Sequence, residues 1–253
     1  MPRSLDRLIP GRVAPVIVVF VGEIDWKQPP IDPPEEGAAI FDFFLQDVVP
    51  LVDGRFRTIR ERSGRAVVGD DFTGIIAAAA AFGHPDLFGG VGLQSVLLLD
   101  TPADMIRAGV RSAAEWPMRV YHDWGRYGHQ ITREGWDNLE ANRRFSEFLR
   151  AKGYLPAGGE ALDGFGWASW RNRTDRLFET LFPPPHSMSI NDRHLLPQQR
   201  RRWNGETREH NLWRTPVPGP RRTVEGCHVR AGARSVFEIG SLYGRDSCRG
   251  VSC

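Results

Sequence analysis

Long apolar runs are missing from this chain of 253 residues. Nothing in it approaches the roughly 18 consecutive apolar residues that suggest a membrane span. The longest such stretch, Val13–Gly22 (VAPVIVVFVG), has the length and β-branched content of a buried strand. Cysteine is scarce: Cys227, Cys248 and Cys253 all fall near the C-terminus. An odd number at these spacings builds neither a disulfide framework nor a zinc site, even with His228 beside Cys227. The opening MPRSLDRLIPGR lacks an apolar core of signal-peptide length, so the default expectation is the cytoplasm. Lysine is absent after residue 183, and no internal repeat is found.

What is present is the composition of a globular protein, 41% hydrophobic and 25% charged, enough to bury a sizeable core. The net charge of +2 hides an asymmetry: residues 1–183 carry about −4 and residues 184–253 about +6, the latter from arginine. The pI of 8.6 therefore describes the tail more than the body, and nucleic acid is a poor candidate partner. The character of the chain changes after Pro183–Pro185, which divides it into a body, 1–183, and an Arg-rich irregular tail, 184–253. Within that tail a short strand is expected at SVFEIG, Ser235–Gly240. Arg200–Arg202 reads as a solvated run or as a contact for phosphate or an acidic partner.

Strand and helix signals alternate through the body. Strands are expected at Val16–Val21, Ala66–Val68, within Gly89–Leu99 (a strand and loop), Met118–Gly125 and near Tyr154–Ala161. Between them, AAIFDFFLQDVVPLVDGRF has apolar residues at helical spacing (Ile40, Phe43, Phe44, Val48, Leu51), with Pro50 expected to end or kink the helix. Helices are also expected at Gly74–Phe82, over ADMIRAGVRSAAE, over WDNLEANRRFSEFLRAKG with Gly153 as its stop, and over RNRTDRLFETLF. Such alternation implies an α/β fold, a mostly parallel sheet with helices on both faces.

One turn carries chemistry. RAVVGDDFTGIIAAAAAFG reads as strand, tight turn, helix, with Gly69 two residues before Asp71, Thr73 two after, and Gly74 next. Hydrolases mount a nucleophile on such a turn because it lifts one side chain clear of the sheet at a helix N-terminus. No Lys-Ser or Lys-Thr follows, which excludes a phosphate loop of the Walker kind. At the centre stands a carboxylate, not a serine.

The surrounding stretches DFFLQDVVPLVDGRFRT, RAVVGDDFTGIIAAAAAFGHPDLFGGVGLQS and GWASWRNRTDRLFETLFP together resemble the α/β-hydrolase esterases of the enterochelin esterase and esterase D type. His84, Pro85, Asp86, Leu87 and Phe88 match that family's stretch after the elbow helix, and Gly92–Ser95 its next strand. The resemblance spans roughly Leu5 to Pro183. It implies the hydrolase sheet without its first strands, leaving a strand edge open near the N-terminus. It also implies that the family's serine falls on Asp71, its histidine on Phe165 (between the matching Gly164 and Trp167), and its acid on Gly128. One oxyanion donor remains, the Phe72 amide.

Such losses remove serine-esterase chemistry, since phenylalanine transfers no proton. Asp71 could itself attack, but a carboxylate nucleophile leaves an ester on the enzyme that a positioned base must clear. His122 and His129 show no sequence relation to Asp71, and His84 reads as a packing or capping residue. Asp71 is thus open to three readings: a nucleophile, a binding group, or a helix-start acceptor. Asp70, Asp123 and Asp163, with Trp124, are candidates to line the same crevice at the strand ends, and such an acidic crevice suits a cation, a basic peptide or a hydroxylated ligand. Trp167 and Trp170 read as core. The expected function is an esterase-like domain that has lost ester hydrolysis and is retained for binding or structure. The alternatives are an active hydrolase using Asp71 or a site not identified, and a basic-tailed interaction module. No cofactor or metal is implied; the partner is a small ligand or a protein.

Overall fold

A computed structural model describes residues 2–9, 11–21, 43–98, 106–128, 137–184 and 234–239. Among these described residues six strands form one sheet: β1 (Val16–Val21), β2 (Arg65–Asp70), β3 (Gly90–Gln94), β4 (Arg119–Gly125), β5 (Ala157–Ala161) and β6 (Arg234–Ile239). Their spatial order is β1-β6-β2-β3-β4-β5, and every neighbouring pair is parallel. Among the described residues β1 stands at one end of this order. The helices are α1 (Pro2–Leu8), α2 (Val49–Arg55), α3 (Thr73–Gly83), α4 (Asn138–Ala151) and α5 (Trp167–Leu181).

Both faces are covered, as a parallel sheet requires. Ala66 and Val68 of β2 and Tyr121 of β4 pack with Leu177, Phe178 and Leu181 of α5 and with Leu5 and Leu8 of α1. The alternate residues Val67, Val91 and Val120 face the other way, toward Val52, Ala77, Ala81, Phe145 and Leu149 of α2, α3 and α4. On β3 the face toward α5 carries Gly90 and Gly92 before Gln94: a Cβ on Gly92 would stand 3.1 Å from Leu177 Cδ1 and 3.0 Å from Val68 Cγ2, so α5 lies close against the sheet there.

Several boundaries differ from the sequence expectation. The helix leading to the elbow strand begins with a π-turn, Phe44–Val48, and continues as α2 with Pro50 in its first turn, where a missing N–H costs nothing. The wider turn rotates the buried face, so Phe44, Val49 and Val52 are buried while Phe43 and Leu51 are exposed. Of the helix expected at 103–115, helical backbone is described only at 106–109. α5 starts at Trp167, earlier than expected, behind Gly166 at φ 102, a conformation that suits glycine. The clearest helix is also the best capped: the Asp137 carboxylate accepts from the Leu139 and Glu140 amides, and Gly153 follows the end at φ 88. Ile40, His129, Arg200–Arg202, His228 and the three cysteines lie outside the described residues.

Candidate functional site

The elbow is built as the glycines demand. A Cβ on Gly69 would meet the Thr73 carbonyl oxygen at 2.4 Å, and one on Gly74 would meet Val96 Cγ2 at 2.8 Å. Strand and helix therefore join at a distance only glycine permits. Between them Asp71 takes φ 48, in the left-handed region, and Ser95 at the end of β3 takes φ 50; they are the described non-glycine residues with positive φ. Such conformations cost on the order of 1–3 kcal/mol and persist where the surroundings enforce them, although Asp tolerates this region better than most. Here the Asp71 N–H donates to Gln94 O (3.0 Å) and the Leu97 N–H to Asp71 O (2.9 Å), which clamps the turn to the next strand.

Below Asp71 lies a polar row that alternation places on the α5 face. Asp70 pairs in register with Gln94, and Gln94 with Asp123. All three are buried. The Gln94 amide donates to Trp170 O (3.2 Å) and Asp123 Oδ2 (3.4 Å). Asp123 Oδ2 also accepts from the Tyr121 hydroxyl and from Arg173 Nε (2.9 Å). Arg173 Nη1 reaches Asp163 Oδ2 (2.8 Å), and Asp163 Oδ1 accepts from the Gly164 amide and the Ser169 hydroxyl. Those last bonds, the amide first, hold the Asp163 carboxyl below its ordinary pKa.

Asp70 behaves oppositely. Burial, reinforced by the Asp71 charge and opposed by the Thr73 hydroxyl, pushes its carboxyl up to about 7. The Thr73 hydroxyl has one hydrogen and lies 2.7 Å from Asp70 O but 3.2 Å from Asp70 Oδ1. The hydroxyl donates to the carbonyl and, over the longer distance, to Oδ1, and the latter contact is the one that opposes the rise. Asp70 Oδ2 has no hydrogen-bond partner among the described residues.

The expected site residues thus separate. Asp71 and the Phe72 amide stand at the elbow. Asp70 and Asp123 flank Gln94 on the α5 side and Asp163 is a loop carboxyl, but the latter two are bound to Arg173. Trp124 is on the opposite face, buried against the His122 ring at 4.8 Å. Phe165 packs edge-on to Trp170 at 5.1 Å, and Gly128 lies in a turn closed by its own N–H to Gly125 O. Trp170 is core as expected, whereas Trp167 is 42% exposed.

His122 is fully buried on the α4 side, bonded to Asn142 (2.9 Å), and burial lowers its pKa to about 4. His84 caps the far end of α3 through its backbone, about 15 Å along the helix from the elbow. His84 and His122 are the histidines among the described residues. Sequence reasoning missed Gln94, Ser95, Tyr121 and Arg173; polar residues at the alternating ends of β3 and β4 were a signal for Gln94 and Tyr121, and none existed for Arg173. Among the described residues no group of His, Cys, Asp and Glu is arranged to hold a metal ion, and no helix is long and apolar enough to cross a membrane.

A protein-family model described as "Putative esterase" matches residues 3–175. The chain belongs to this esterase family. No curated protein sequence matches it. Similar solved structures include a ferulic acid esterase, 19% identical over 56% of this chain and 60% of that one, with a TM-score of 0.43. Enterochelin esterase from Shigella flexneri is 20% identical over 60% of this chain and 40% of its own, TM-score 0.47. The enterobactin esterase of Shigella flexneri, determined in the presence of 2,3-dihydroxy-N-benzoyl-glycine, gives 20%, 61%, 40% and 0.47. This esterase-family chain thus spans 40 to 60% of the length of these structures.

Proposed function

We propose that this esterase-family domain has lost hydrolysis by serine, histidine and acid and is retained as a binding or structural domain. The observation that carries this reading is the elbow itself. Its strained geometry is kept, with φ 48 at the centre and both glycines in close contact, but the raised side chain is Asp71. At the position matched to the histidine, the Phe165 ring packs on Trp170, whose carbonyl holds Gln94 beside the elbow. A folded acyl-transfer site needs a nucleophile, a base in reach and an oriented acid. Gly128, Phe165 and Asp71 supply none of the three in their usual form.

The test is repair. Asp71→Ser and Phe165→His are introduced singly and together, and p-nitrophenyl butyrate hydrolysis is measured on the folded proteins. The expected result is activity above background in the double variant only, raised further by adding Gly128→Asp. A removed acid partner costs up to about 10⁴-fold in a working triad, so the double variant is expected to be slow. Failure of the folded triple variant would show that these positions are not the displaced triad. The second reading, Asp71 as nucleophile, draws on its projection from the elbow and predicts that Asp71→Ser abolishes an activity already present in the parent chain.

A further inference from the structure

The family match ends at residue 175, yet β6, residues 234–239, stands inside the sheet, parallel to β1 on one side and β2 on the other. β1 and β2 are not paired with each other, so β6 is the strand that joins β1 to the sheet. Its central residue is a core residue. Phe237 is fully buried, edge-on to Phe44 at 5.3 Å and to Phe88 at 6.4 Å. On the other side β6 holds the second edge of the elbow strand: Ile239 is opposite Gly69, two residues before Asp71. The first edge is held by β3, through which Gln94 O accepts the Asp71 N–H.

We propose that the slot between β1 and β2 is a strand-acceptor site, filled here by the chain's own residues 234–239, and that this insertion helps hold the elbow in its strained conformation. Three arguments converge. Pro184 and Arg234 are fifty positions apart, so bringing Arg234 back to the sheet costs chain entropy before any ladder bond repays it, and the strand joins after its neighbours. β2, β3, β4 and β5 pair in chain order without β6 and bury α3, α4 and α5 against themselves, so the slot is an edge of an otherwise ordered sheet. A left-handed non-glycine residue survives only where it is over-determined, and β6 supplies one of the two ladders flanking Gly69. The acceptor requires an extended segment running parallel to β2 with an aromatic residue at its fourth position, to stand edge-on against the stacked rings of Phe44 and Phe88. Main-chain bonds give such strand addition its affinity and the side-chain cleft its selectivity.

Hydrogen exchange on the intact chain tests this. In the parent protein, amides of residues 234–239 should be protected to the same order as those of β1. In Val236→Pro, which removes a ladder donor from a strand paired on both edges, exchange in β1 and residues 234–239 should rise at least about tenfold. The elbow, residues 69–74, should rise with them, and β3 and β4 should stay within about twofold. A synthetic peptide of residues 232–241 added to that variant should restore β1 protection; the same peptide carrying Phe237→Ala should not. Unprotected amides at 234–239 in the parent chain would overturn the proposal. So would equal loss of protection in every strand, unchanged β1 or elbow exchange in the variant, or no restoration by the peptide.

Discussion

Replacing Asp70 by Asn should make the protein more stable at high pH and leave it nearly unchanged in acid. The Asp70 carboxyl ionises near 3.8 in an unfolded chain but keeps its proton up to about 7 in the folded one, burial being the main cause. Below pH 3.8 both states hold the proton and no penalty exists. As pH rises from 3.8 to 7 the unfolded state releases a proton that the folded state retains, so stability falls, by at most about 1.4 kcal/mol per unit. Above 7 the loss is complete, at about 4 kcal/mol as an upper figure. Asn cannot ionise and can still reach the Thr73 hydroxyl, so Asp70→Asn should recover much of that loss at pH 8.5 and little at pH 4.

His122 pulls the other way in the same window. It is buried neutral with its pKa lowered to about 4 against an ordinary 6.5. It favours the folded state above pH 6.5, and about 3 kcal/mol of that is lost as pH falls to 4. The two slopes nearly cancel in the parent chain, so its stability should be almost flat between pH 4 and 6.5. Asp70→Asn should expose the His122 slope. Urea unfolding followed by tryptophan fluorescence at pH 4, 5.5, 7 and 8.5 measures the difference between the two proteins directly. A difference that is independent of pH, or that shrinks as pH rises, would refute the reasoning.

Three further outcomes are expected. Gly69→Ala should cost at least about 3 kcal/mol or prevent folding, because its methyl would overlap the Thr73 carbonyl and backbone cannot yield as a side chain can; thermal unfolding reads this. Arg173→Met should cost about 3–5 kcal/mol by leaving buried Asp123 without its cation, and adding Asp123→Leu should recover part of the loss in urea titrations. Asp137→Ala should cost about 1 kcal/mol and fray the start of α4, seen as faster exchange at Leu139 and Glu140.

Most of the architecture was legible because its signals are local. Val16–Val21 is a β-branched run, Asp137 and Gly153 punctuate α4, and Gly69 and Gly74 mark a turn that leaves no room for a side chain. What escaped is non-local. The strand at 234–239 could be located from its own residues, but its insertion between β1 and β2 is decided by pairing with residues at the other end of the chain, such as Arg65 opposite Ser235 and Val16 opposite Arg234. A π-turn at Phe44–Val48 moved the buried face off Phe43 and Leu51, which strict 3.6-residue spacing could not anticipate. At the site, Asp123 and Asp163 looked like open carboxylates because their partner Arg173 lies on a later helix with nothing local to pair them. Trp124 looked like a mouth residue until strand alternation turned it to the other face.

The measurement that bears most directly on the loss of ester hydrolysis is p-nitrophenyl butyrate turnover by the folded parent chain beside Asp71→Asn. The account predicts that both proteins stay at the background rate of the unfolded chain. Turnover in the parent that disappears in Asp71→Asn would contradict it and make the elbow carboxylate a catalytic group.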